Sequence, residues 1–404
     1  MKTKLIENIL TLWGFNVISG VASALFYILM AYMLSVEQYG LFYSLVSLSY
    51  LFTIPQETIR TIISRVCAKL GEEKAKIKYV FSRYLKRMFF LGIAAFLIFL
   101  LAIPYLKALF KTSFLPLLLT GVSLIFVFIL PVIWGILQGT FRFKELGINN
   151  ALEMVLKLTF AIVLVLILPS QLKVIGALIA IPASIFFTFL IGLFPIKDIL
   201  KARKEKFYEK GSFRYALASL ALFTLIGIMC VADVIIARYF FDERTAGLYA
   251  GLSMIGTALF FIAMNAKRVM LPTIVKEKRK NPKKILAKTA LTIGSMFLGF
   301  FMLSSIFPKN ITLTFLGTKY LEVASLLKYV VLAYAFFSLS VLLVFYNLSI
   351  NKNKRISTRI LASGTFMLIA LLILFHSNLM EFITMTLIAF GLTFVSLLIV
   401  SFRK

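Results

Sequence analysis

Apolar runs of about 20 to 30 residues recur along the whole chain, and the loops between them stay within about 20 residues. No other feature constrains the fold as much. A hydrocarbon core about 30 Å thick is crossed by about 20 apolar residues in a helix, and only helices or closed barrels satisfy every backbone donor and acceptor there. The runs lack the alternation of barrel strands, so the sequence predicts helices. With 61% hydrophobic residues and 41 phenylalanines among 404, the chain also carries more apolar surface than a soluble core of its size can hide. The expected fold class is an all-α integral membrane protein.

The runs give twelve spans. The first, about Ile9 to Leu34, is too long for a signal-peptide core and is read as a retained helix. The second, about Tyr39 to Val66, turns polar in its second half through Gln56, Glu57, Arg60 and Arg65. Spans 3 to 6 cover about 88–103, 114–137, 147–168 and 174–196. Spans 7 to 12 cover about 213–241, 246–275, 289–307, 321–350, 356–375 and 379–402.

A formal charge of +28 raises the question of nucleic acid, and the placement of the cations answers it. Loops 69–87, 197–214 and 276–288 hold seven Lys and Arg each, whereas the intervening loops hold only Lys107, Lys111, Lys173, Arg244, Lys309 and Lys319. Such alternation is the positive-inside pattern. It predicts a multi-pass protein of the cell membrane with both termini cytoplasmic, in contact with membrane lipids and not with nucleic acid.

The turn after span 1, AYMLSVEQYGLFYSL (Ala31 to Leu45), is echoed after span 7 by ARYFFDERTAGLYAGL (Ala237 to Leu252). Both have an aromatic span end, an acidic turn and Gly-Leu-aromatic opening the next helix. This echo divides the chain into an N-terminal lobe, 1–206, and a C-terminal lobe, 207–404, of six spans each. An even number of spans per repeat makes the two lobes parallel repeats about a central cavity.

No Gly-x4-Gly-Lys-Ser/Thr phosphate loop is present. One histidine, His376, and two separate cysteines, Cys67 and Cys230, support neither a metal site nor a Ser-His-Asp triad. The expectation is a non-enzyme without a cofactor, drawing at most on an ion or proton gradient. The candidate functional groups are charges inside the spans, which cost about 2.5–3.5 kcal/mol each near a helix centre unless they meet a partner or a water-filled cavity. Lys157 lies at mid-depth in span 5, with Glu153 one turn earlier on the same face. Asp233 in span 7 has no partner one turn away and reads as a coupling site or as one half of a pair with another helix. Glu57 and Arg60 are one turn apart on span 2. Lys267 and Arg268, beside Asn265, lie toward the cytoplasmic end of span 8, where snorkelling and ligand binding are alternatives. Arg238 and Lys328 read as interfacial. Asn16, Asn149, Asn150, Asn265 and Asn347 supply polar groups suited to sugar hydroxyls.

Four stretches carry a resemblance to a known family: LSVEQYGLFYSL after span 1, GILQGTFRFKELGINNALEMVLKL into span 5, DVIIARYFFDERTAGLYAGLSMIGTALFFIAMNAKRVMLPTI in spans 7 and 8, and LGTKYLEVASLLKYVVLAYAFFSLSVLLVFYNLSINK into span 10. In this order and spacing the chain resembles the polysaccharide (O-antigen type) flippases of the multidrug/oligosaccharidyl-lipid/polysaccharide exporter superfamily. The resemblance implies two lobes rocking about a cavity that opens alternately to each side. It also implies a polyprenyl diphosphate-linked oligosaccharide as substrate, passed on to glycosyltransferases or a polymerase of the same pathway. Cavity cations are a feature of the family, which makes Lys157, Arg60, Lys267 and Arg268 the candidates for the diphosphate. A drug/cation antiporter of the same superfamily is the alternative. A lipid II flippase fits less well, because those proteins typically carry two further helices. An integral membrane glycosyltransferase or polymerase lacks the external catalytic loop it needs.

Overall fold

A computed structural model describes residues 2–207, 213–276, 282–350 and 353–402, with side chains described except at 2–13, 213–219, 265–269, 271–273, 275–276 and 354. The helices are α1 (Lys2–Met33), α2 (Val36–Leu70), α3 (Lys74–Phe110), α4 (Phe114–Gly139), α5 (Phe143–Ile167), α6 (Lys173–Gly192), α7 (Lys197–Lys201), α8 (Phe213–Phe240), α9 (Glu243–Lys276), α10 (Pro282–Ile306), α11 (Pro308–Leu316), α12 (Leu327–Ser349), α13 (Lys354–Leu374) and α14 (Leu379–Phe402). Apart from the short α7 and α11, these are the twelve expected long helices. Among the described residues, eleven segments are long and apolar enough to cross a membrane. Helix α2 is not among them, because Gln56, Glu57, Arg60 and Arg65 make its second half polar. Short elements not expected from the sequence include α7, α11 and the 3-10 segment Thr318–Leu326, which delays the start of α12 to Leu327.

The chain forms two compact units. One comprises Met1–Leu34 and Leu45–Phe223, the other Ser35–Ser44 and Thr224–Lys404. In the first, α4 packs against α3 and α6, and α5 against α1 and α6. In the second, α12 packs against α9, α10, α13 and α14. Most of α4 and α12 is buried, which is why both are apolar on every face.

The starts of α2 and α9 are capped by side chains. Ser35 and Gln38 form a reciprocal box at the start of α2, each backbone N–H donating to the other's side-chain oxygen at 3.2 Å. At α9, Asp242 Oδ1 accepts from the backbone N–H of Arg244 (3.0 Å) and Thr245 (3.1 Å). The two echoed turns therefore each begin a capped helix, and those helices touch. A Cβ on Gly40 would lie 2.6 Å from Gly247 Cα, and one on Gly247 would strike the Val36 carbonyl. Only glycine permits this backbone-to-backbone crossing. Around it, Tyr39 meets Tyr320 edge to face at 6.1 Å, and Arg244 pairs with Glu322 at 2.6 Å and Glu37 at 4.0 Å. Substituting Gly247→Ala overpacks the crossing and costs about 1–3 kcal/mol. The purified protein is expected to melt earlier; an unchanged Tm would show that the helices part without cost.

A second set of ionic contacts fixes the start of the mid-chain loop. Asp198 on α7 accepts two hydrogen bonds from the Arg142 guanidinium, at 2.8 and 2.7 Å, and pairs with Lys74 at 2.9 Å. Arg142 also donates to the Pro195 carbonyl. Beyond α7, Lys78 Nζ donates to the Ala202 carbonyl at 2.8 Å, and the Glu205 N–H to Ala75 O at 3.3 Å. The loop is thus tied to α3 as far as Glu205. The Arg142 bonds first, and then Lys74, hold the Asp198 carboxyl well below the usual carboxylate range. A folded-state value below the unfolded one of about 3.9 means the contribution is full above about pH 4 and fades as the pH falls further. The group is partly exposed, so Asp198→Asn is expected to cost only about 1 kcal/mol. Denaturation of wild type and variant should differ at pH 7 and converge at low pH; equal stability at pH 7 would remove the cluster from the account.

Candidate functional site

In the second unit the site is built on Asp233. It lies seven residues before the end of α8, about 10 Å along the helix, and is fully buried. Its Oδ2 accepts hydrogen bonds from Tyr249 (2.7 Å) and Ser253 (3.3 Å) on α9 and from Tyr334 (3.0 Å) on α12. Ser253 and Tyr334 are themselves 2.9 Å apart, and Thr257 donates to the Tyr334 hydroxyl at 3.1 Å. Tyr249, Ser253 and Thr257 are spaced by four, so they form one stripe of α9 facing α8 and α12. Phe382 meets the Tyr249 ring edge-on at 5.1 Å and Phe390 meets Tyr334 at 5.9 Å, walling the cage with apolar surface.

All partners of Asp233 Oδ2 can act as donors, and Oδ1 has no hydrogen-bond partner among the described residues. No Lys, Arg or His of the described residues bonds to this carboxylate, so the expected partners on other helices exist but are hydroxyls instead of cations. A proton or small cation carried here would sit at Oδ1. The other titratable groups in electrostatic reach are Cys230 on α8 itself and the phenols of Tyr249 and Tyr334. Among the described residues no three His, Cys, Asp or Glu side chains gather as a metal set.

The first unit holds two of the candidate cations, Lys157 and Arg60. Lys157, ten residues before the end of α5, is half-buried with its Nζ 5.2 Å from the Phe26 ring of α1. Glu153 one turn earlier is 7% exposed, and both Lys157 and the Tyr27 phenol of α1 act on it electrostatically. Sequence spacing identified the Glu153 and Lys157 pair; the aromatic support from α1 depends on packing of α1 against α5.

Arg60 is held more firmly than its position in α2 suggested. Its Nε donates to Gln138 Oε1 at 2.8 Å, its guanidinium lies 5.8 Å from the Trp134 ring centre, and Glu57 Oε1 is 3.7 Å away. Glu57 is exposed, its side chain 64% accessible. Trp134 in turn donates to Asn149 Oδ1 at 2.8 Å, and Asn149 donates to the Thr188 carbonyl at 3.1 Å. Asn149 is therefore a structural link between α4, α5 and α6 and not a sugar ligand. Asn347 is also structural: buried, it donates to Ser357 and Ser401. Arg238, expected at the interface, is 2% exposed and paired with Glu243 at 3.1 Å. The side chains of Asn265, Lys267 and Arg268 lie outside those described, although all three fall within α9.

No protein-family model matches the sequence. An uncharacterised membrane protein of Methanocaldococcus jannaschii is 24% identical over 325 residues, covering 74% of this chain and 73% of the relative. Among solved structures, a lipid II flippase, MurJ, in an inward closed conformation superposes with a TM-score of 0.71 at 16% identity, covering 96% of this chain and 86% of that one. A MOP superfamily transporter from Pyrococcus furiosus, described as having a binding pocket of reversed polarity, gives 0.58 at 15% identity over 97% and 91%. A eukaryotic MATE transporter gives 0.58 at 15% identity over 99% and 96%. At these identities the likeness concerns the fold. The chain is a multi-pass helical membrane protein with the fold of the MOP superfamily transporters.

Proposed function

We propose that the protein is a secondary transporter that flips a polyprenyl diphosphate-linked oligosaccharide from the cytoplasmic to the outer leaflet of the cell membrane by alternating access, in the manner of the O-antigen-type flippases. The observation that carries this reading is Lys157. A cation ten residues from one end of α5 and fourteen from the other, with its Nζ over the Phe26 ring and Glu153 as its neighbouring carboxylate, is an expensive thing to keep in a membrane, and it gives a passing anion a positive charge to meet. A diphosphate head supplies that anion, while the lipid tail stays in the bilayer. Arg60, fixed by Gln138 and Trp134, adds a second positive charge in the same unit. Lys267, Arg268 and Asn265 stay candidates for the cytoplasmic mouth. Asp233 is the coupling group: with Oδ1 unsatisfied, it can take up a proton or a small cation and release it as the hydroxyl cage rearranges. Likeness to a flippase of lipid II supports a lipid-linked substrate, and glycosyltransferases or a polymerase are the expected pathway partners.

One observation favours a drug/cation antiporter instead, namely the buried carboxylate without a cationic partner. The two readings separate in a binding experiment. Purified protein is expected to be stabilised against heat by a short-chain polyprenyl diphosphate and not by organic cations such as tetraphenylphosphonium. Stabilisation by the cation alone, abolished by Asp233→Asn, would establish the antiporter.

A further inference from the structure

We infer that the end of the first unit formed by α3 and α4 carries a binding site for the phosphate headgroup of an anionic phospholipid, separate from the transport machinery. An open surface hollow of about 1050 Å³ lies there between the last turns of α3 and the start of α4. Its lining includes Lys107 in the last turn of α3 and Lys111, the residue that ends that helix, together with the hydroxyl residues Thr112 and Ser113. Its inner wall is apolar, made by Leu100, Ile103 and Phe114 among others. Lys111 adopts the left-handed conformation, φ 47°, which ends α3 and turns the chain directly into α4.

Charge placement gives the second line of argument. Lys74 and the basic loop stand at the opposite end of α3, so this end is the one from which the positive-inside pattern excludes cations. Two lysines nevertheless line this hollow. Leu101 and Tyr105 on the same turns are 78% and 81% exposed, an apolar flank suited to acyl chains. Seven residues, about 10 Å of helix, separate Leu100 from Lys107. That distance matches a lipid whose acyl region lies against Leu100 and Leu101 while its phosphate reaches the lysines. A free phosphate would use the lysines and leave the apolar wall empty, so the site is assigned to the lipid. The orientation places it at the outer leaflet, where an anionic lipid would brace the α3–α4 corner.

Native mass spectrometry of the delipidated full-length protein tests this, with phosphatidylglycerol, phosphatidylcholine and inorganic phosphate as probes. Wild type is expected to retain one more phosphatidylglycerol than the double variant Lys107→Ala, Lys111→Ala. The variant should bind that lipid about thirtyfold more weakly, since each lysine near a membrane surface contributes about 1 kcal/mol. A Lys107→Arg, Lys111→Arg variant should keep the lipid, which separates charge from folding. Equal phosphatidylglycerol retention by wild type and the alanine variant, retention of phosphatidylcholine as strong as that of phosphatidylglycerol, or displacement of the lipid by millimolar inorganic phosphate would each overturn the assignment.

Discussion

Substituting Asp233→Asn is expected to uncouple transport from its driving gradient while leaving the second unit folded. The amide keeps an oxygen for the hydroxyls of Tyr249, Tyr334 and Ser253, so the cage that joins α8, α9 and α12 persists. What it loses is the site at Oδ1, because an amide NH2 there neither binds a proton reversibly nor coordinates a cation. Linkage between two sites on a protein is worth about 1–3 kcal/mol, so accumulation against a gradient should fall about 5- to 150-fold. Downhill exchange of substrate should survive. The check is the initial rate in proteoliposomes with and without an imposed pH or sodium gradient. A variant that still responds fully to the gradient would remove Asp233 from coupling. Tyr334→Phe, which deletes one donor to the carboxylate and the acceptor for Thr257, should show a milder form of the same defect.

The second large effect is expected at Lys157. A charge-assisted hydrogen bond is worth about 1.5–3 kcal/mol, so Lys157→Ala should weaken diphosphate binding about 10- to 150-fold. Truncation also removes the cation that acts on the buried Glu153, which is destabilising in its own right. The double variant Lys157→Met, Glu153→Gln separates the two consequences, since it leaves no uncompensated charge. It is expected to regain the thermal stability of the wild type and stay defective in binding. Recovery of binding together with stability would make Lys157 a structural cation only.

The fold was largely legible in the sequence because membrane helices announce themselves by length and apolarity. Helix α2 shows where that signal weakens. Its second half is polar, and Arg60 there is held by Gln138 and Trp134 on α4, contacts 74 to 78 residues away that no local pattern contains. Asp233 stood out as an ionisable residue in an apolar run, and the stripe of Tyr249, Ser253 and Thr257 was available from its spacing of four. What the sequence could not supply was Tyr334, which reaches the same carboxylate from 101 residues away. Asn149 and Asn347 illustrate the converse: an amide has the same sequence signature whether it holds helices together or binds a sugar, and in both cases buried partners decide for structure. Arg238, in the last turn of α8, is buried and paired with Glu243 from the turn that follows, a contact the sequence reading did not include.

The echoed turns gained meaning from the structure. As sequence they suggested a repeat; in space Gly40 and Gly247 bring the two turns into contact, and residues Ser35–Ser44 pack with the second unit. Helix α2 therefore belongs to one unit at its start and to the other for the rest of its length, with Pro55 lying between its capped first turn and Arg60.

The most direct measurement is a flipping assay on the purified full-length protein in liposomes, with a fluorescent polyprenyl diphosphate-linked saccharide loaded in one leaflet and a membrane-impermeant glycosidase outside. The account predicts that the saccharide becomes accessible to the enzyme at a rate that an ion gradient accelerates and that Lys157→Ala suppresses. A saccharide that stays protected in wild-type vesicles, while an organic cation crosses in an Asp233-dependent manner, would contradict it.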